Sequence, residues 1–254
     1  MHRIVSVIFV LVLAAGAWAQ GPGQGGDPGK PEDPCKKALD EFAKGYKEGN
    51  TKKDPQARIT ALHLLDPFLT AGAADQRAVD AISKVLNTAS ETDAVKIAAA
   101  QQLGGTGNVK LLPTFEKAFN ANEKNDCAQE MVNQMGRIQD KTAVKSLEKI
   151  IRPRVTKFED AKAGLIARAG INALPNLKFF ETAEALMKLM ETVQQGKPRK
   201  DETVPPENQA KEAERSQNEA AIKGAMTALT AQNLAEYDDW KKWWQANKKI
   251  WKPQ

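Results

Sequence analysis

From Cys35 onward, apolar residues recur at steps of three and four, with Ala, Lys, Glu and Gln filling the positions between them. Turn residues interrupt this pattern about every twelve to twenty positions, and the apolar-polar alternation of a strand is almost absent. The period is helical, and the expected fold class is all-α.

Five segments follow one two-helix plan. They are DPQARITALHLL with DQRAVDAISKVLN, TDAVKIAAAQQLG with NVKLLPTFEKAFN, DCAQEMVNQMG with DKTAVKSLEKIIR, DAKAGLIARAGINAL with FFETAEALMKLME, and NEAAIKGAMTAL with the tryptophan-rich C-terminus. The last large apolar residue of each first helix falls at Leu65, Leu103, Met135, Leu174 and Leu229. The first three intervals lie in the thirties, as in helical repeats, and the last is stretched by an insertion. In the second helices, Val79, Ile82 and Leu86 return as Leu112, Phe115 and Phe119, then as Val144, Leu147 and Ile151. Such i, i+3, i+7 stripes occupy one helix face, the face a stacked unit buries. An earlier helix, CKKALDEFAKGYKEG, aligns Leu39, Phe42 and Tyr46 on one side and is expected to cap the N-terminal end.

The run MGRIQDKTAVKSLEKII, Met135 to Ile151, closes a first helix on an apolar residue and Gly, turns through Asp, and opens the second helix with Ala-Val. It resembles the bacterial HEAT repeats also found in phycobilin-lyase-like proteins. LGGTGNVKLLPTF, Leu103 to Phe115, is a second match. The resemblance covers residues 54 to 190 well and 218 to 254 loosely; the first-helix Pro and second-helix Arg of the eukaryotic pattern are largely missing. It implies a right-handed α-solenoid of about five HEAT-like helix pairs, and HEAT superhelices bind other macromolecules.

The N-terminus changes the setting. MHRIVSVIFVLVLAAGAWAQ has a short basic start, an apolar run from Ile4 to Ala15, and Ala17-Trp18-Ala19 before Gln20. This is the layout of a signal peptide, with cleavage expected after Ala19 and the mature chain periplasmic or secreted. No later segment is apolar enough to span a bilayer. Residues 20 to 34, QGPGQGGDPGKPEDP, have no apolar face and are expected to form a disordered linker. The solenoid is then expected over 35–254, with a charged loop insertion at 196–218 and a Trp-rich capping helix at 237–251.

The formal charge of +5 is spread among many acids and is weak support for a polyanionic partner. Only Cys35 and Cys127 are present, so an oxidising compartment permits one disulfide or two separate thiols. His2 belongs to the leader, which leaves His63, between Leu62 and Leu64, as the one histidine of the mature chain; its setting is that of a packed or edge-exposed residue. Asp238 and Asp239 diverge around a helix and suit its first turn. Gly104-Gly105-Thr106-Gly107 lacks the Lys-Ser/Thr of a phosphate loop and suits a helix stop. No catalytic residue, metal-ligand set or cofactor fingerprint is nominated, and the chain is expected not to be an enzyme.

Four of the five tryptophans lie at Trp240, Trp243, Trp244 and Trp251. At 100° per residue they fall within about 100° of one another, while Lys241, Lys242, Lys248, Lys249 and Lys252 occupy the other side. A terminal helix with one aromatic and one basic face suits the end of a stack better than an open platform, although a partner contact would look the same. The expected activity is a protein-protein interaction scaffold outside the cytoplasm, with the partner, and any oligomeric state, unnamed. A nucleic-acid binder or base-repair protein, and a cell-wall or polysaccharide binder using the tryptophans, are the alternatives. The 196–218 insertion is the second contact candidate.

Overall fold

The structure, a computed structural model, describes residues 33–195, 197–198 and 203–252. The expected signal peptide and nearly all of the expected linker lie outside the described residues. Every regular element among the described residues is helical. The α-helices are α1 Pro34–Thr51, α2 Pro55–His63, α3 Gln76–Leu86, α4 Asp93–Gly105, α5 Leu112–Asn122, α6 Cys127–Met135, α7 Lys141–Ile151, α8 Ala161–Ala173, α9 Phe180–Gln194, α10 Gln209–Thr230 and α11 Tyr237–Asn247. Short 3-10 turns precede or follow several of them.

Aspartates start many of these helices. Asp33, Asp54, Asp75, Asp140 and Asp160 each accept hydrogen bonds from backbone N–H groups of the first turn of α1, α2, α3, α7 and α8. Each bond satisfies a donor that the helix itself leaves unpaired. Asp33 and Pro34, expected at the end of the linker, are therefore the cap and first residue of α1.

The helix contacts define two layers. α2, α4, α6, α8 and α10 touch in succession, each against the next, and α3, α5, α7 and α9 back them as α3 on α4, α5 on α6, α7 on α8 and α9 on α10. α5, α7, α9 and α11 also touch in succession, and α1 packs on both α2 and α3. The stripes explain the burial: Val79, Ile82, Leu86, Leu112, Phe115, Phe119, Val144, Leu147 and Ile151 are all buried between the layers.

Small residues set the spacing within the layer of first helices. A Cβ on Gly104 of α4 would stand 2.7 Å from the Cβ of Gln134 of α6. One on Gly136, just after α6, would stand 2.6 Å from the Cβ of Ala173 of α8.

The expected insertion loop is shorter than 196–218. α10 begins at Gln209, because QAKEAERSQN joins the helix and is pinned from within. Arg215 is buried with its guanidinium over the Phe158 ring, and Nη1 donates to the carbonyls of Val193 at 2.8 Å and Gln195 at 2.7 Å. Asn218 Nδ2 donates to the Val155 carbonyl at 3.0 Å. These charged and amide side chains tie α10 to α8, α9 and the turn after α7; they are not a solvated face.

The aromatic helix is also shorter than expected. α11 ends at Asn247, and Trp251 lies on the irregular turn beyond it.

Candidate functional site

α4, α6 and α8 are each flanked by neighbours of their own layer and backed by a helix of the other, so each has one strip facing solvent. The exposed residues are Ala94, Gln101 and Gly105 on α4, Gln129 on α6, and Ala161, Leu165 and Asn172 on α8. None is charged. α2 exposes Gln56, Thr60 and His63, and α10 exposes Ala, Gln, Ser and Gly with the single charge of Lys211.

The charges these helices do carry are engaged by neighbouring side chains. Glu130 accepts from Gln134 Nε2 at 2.6 Å. Arg168 pairs with Glu214 and donates to Asn218 Oδ1 at 3.0 Å. Lys162 Nζ bonds Asp126 at 2.9 Å.

The second helices show the opposite composition. Arg77, Asp80 and Lys84 on α3, Lys117 on α5, Lys141, Lys145 and Lys149 on α7, Lys188 and Glu191 on α9, and Lys241 and Lys242 on α11 are all exposed. The exposed positions of the first helices are thus amides and small residues, with charge held by flanking residues such as Asp66 and Asp126, whereas the second helices are densely charged. Interface cores are depleted in Lys, Glu and Asp, because burying an unpaired charge is costly. Leu165 is 48% exposed in the uncharged strip, and Leu64, at the end of α2, is 39% exposed.

No protein-family model matches this chain, and no curated protein matches it in sequence.

α11 packs on α9, and Trp244 meets Phe180 with ring centroids 5.2 Å apart. Trp240 is fully buried, and its Nε1 donates to the Leu234 carbonyl at 2.9 Å. Trp243 and Trp251 are half-buried; Trp243 stands edge-on to Trp240 at 6.0 Å and Trp251 edge-on to Trp244 at 5.7 Å. The four rings form one connected cluster whose inner two members are core and whose outer two have an open edge. Asp238 and Asp239 sit in the first turn of α11, where the helix dipole favours acids.

Cys35 and Cys127 are both buried and free; the permitted bridge is not formed. Each sits in the first turn of its own helix, α1 or α6, beside a different carboxylate. Burial, reinforced by Asp75, raises the Cys35 thiol. Burial, reinforced by Asp93, pushes the Cys127 thiol up to about 12. A reactive cysteine needs the reverse environment.

His63 is at the edge, its side chain 56% exposed and Nδ1 2.8 Å from Asp66 Oδ2. Gly107, at φ 64°, makes the turn between α4 and the 3-10 turn that leads into α5, in keeping with a helix stop.

The uncharged strip was not singled out from the sequence. Its signal is present in AVKIAAAQQLG, where the one charged residue, Lys96, is buried and the exposed polar position is Gln101.

Proposed function

We propose that this chain is a non-catalytic, exported HEAT-like α-solenoid that binds another protein across its layer of first helices. The observation that carries the reading is the charge segregation: the exposed positions of α2, α4, α6 and α8 hold no Lys, Arg, Asp or Glu, and the half-open Lys162 is paired with Asp126, while each of the second helices exposes such residues. Successive helices of one layer would offer corresponding positions to a partner as many shallow contacts, with Leu165 as the apolar anchor. The alternation of the two layers fits the repeat plan that the spacing of Leu65, Leu103 and Met135 suggests. The aromatic α11 then serves as the end unit, and the leader places the encounter in the periplasm or outside the cell.

The test uses the purified chain as bait on a cell-envelope extract, alongside two triple variants. Gln101→Glu/Gln129→Glu/Leu165→Glu puts charge into the strip; Lys117→Glu/Lys145→Glu/Lys188→Glu changes the opposite side. All six positions are exposed, so both variants should fold, as circular dichroism would verify. Prey retained by the wild type and the second variant but lost from the first is the expected result. Prey retained equally by the strip variant contradicts the reading.

A further inference from the structure

The stripe of α1 differs from those of the later helices. Leu39 and Tyr46 stay half-open, and with Phe42 they face Ala81 and Val85 of α3 across a groove of about 520 Å³. Ligand sites typically run from about 300 to 1,000 Å³ with mostly apolar walls.

Its walls are held in place without a ligand. The Phe42 and Tyr46 rings lie 5.5 Å apart, and the Tyr46 hydroxyl donates to Glu91 behind the groove. Glu91 is paired with buried Arg58 at 3.3 Å, and Arg58 Nη1 donates to Asn50 at 3.2 Å. Burial, then the bond to Glu91, raises the Tyr46 hydroxyl well above its ordinary range, so the ring stays neutral. A fixed wall spares a ligand the cost of ordering it.

The groove has two unlike ends. Asp33, at the start of α1, pairs with Arg77 at the start of α3, and Tyr46 reaches Glu91 beyond the end of α3, so the two helices run side by side in the same direction. Leu39, Phe42 and Ala43 line the end nearer the helix starts, and Lys47, Asn50, Lys84 and Thr88 line the other. Lys47 and Lys84 form no ion pair with any described residue, and no carboxylate lines the groove. From Leu39 to Asn50 the groove is about 16 Å long at the helical rise, room for a chain of roughly a dozen carbons.

We propose that this groove binds a single-chain fatty carboxylate, with the alkyl chain along Leu39, Phe42, Ala81 and Val85 and the carboxylate between Lys47 and Lys84. The site is independent of the protein-binding strip, since it lies between α1 and α3.

The test is calorimetric titration of the purified chain with dodecanoate below its micelle concentration. Saturable binding at one site per chain is expected, about tenfold weaker for Lys84→Glu and for Lys47→Glu, and lost in Ala43→Trp, which fills the groove from an exposed position. Dodecyltrimethylammonium, the same chain with a cationic head, should bind at least about tenfold more weakly. Absence of saturable binding, unchanged binding by Ala43→Trp, or equal affinity for the cationic analogue overturns the assignment. A chain that sediments as a dimer until Ala43→Trp makes it monomeric also overturns it, because the groove would then be an interface between copies.

Discussion

Gly104 and Gly136 are sites where one missing Cβ decides how closely two helices approach. Gly136→Ala would bring a methyl 2.9 Å from the Ala173 carbonyl oxygen, and we expect a loss of about 1–3 kcal/mol in urea unfolding. Gly105→Ala meets nothing within 4 Å and should be neutral or stabilising by up to about 1 kcal/mol. Cys127 carries a pH prediction. Its thiol ionises near 9.0 when unfolded and only at about 12 when folded, so above pH 9.0 the folded state holds the proton that the unfolded chain has released. Stability is full below that point and falls as pH rises towards 12. The urea midpoint of the wild type should therefore drop more steeply through this window than that of Cys127→Ala; parallel slopes would contradict it. Cysteine number was readable from sequence but pairing was not, since it depends on which helix turn each thiol shares. The close-approach glycines were hidden for the same reason, because their role lies in the neighbour opposite.

At the scale of the element, the apolar stripes were the most legible feature. Val79, Ile82 and Leu86 and their counterparts are buried as their spacing implies, because a three-four period admits one buried face. The errors fell at element ends. α10 starts at Gln209 because Arg215 and Asn218 find buried carbonyls that only the folded neighbours supply, and a charged stretch read alone resembles a loop. Trp251 lies beyond α11, outside the helix that a uniform wheel would assign it. The cap can be tested ring by ring. Trp240→Ala should cost about 3–5 kcal/mol in thermal or urea unfolding, and Trp251→Ala less than half as much. Deleting Gln232–Gln254 should lower the melting temperature of the whole chain, since it uncovers Phe180 and the α9 face beneath Trp244. An unchanged melting temperature would exclude α11 as a cap.

Across the whole molecule, the all-α class was readable because helical period and helix-forming composition agree along the chain. The sidedness of charge was not, since it requires knowing which helices share a layer. Once α2, α4, α6, α8 and α10 are seen to touch in succession, the Gln, Asn and Ala positions of five separate segments become one surface. Site-specific photocrosslinking in the native cell tests whether that surface binds a partner. A photoreactive residue at Gln101, Gln129 or Asn172 should yield a discrete crosslinked partner, and the same probe at Lys117, Lys145 or Lys188 should not. Crosslinks confined to the lysine positions, or none from the strip, would contradict it.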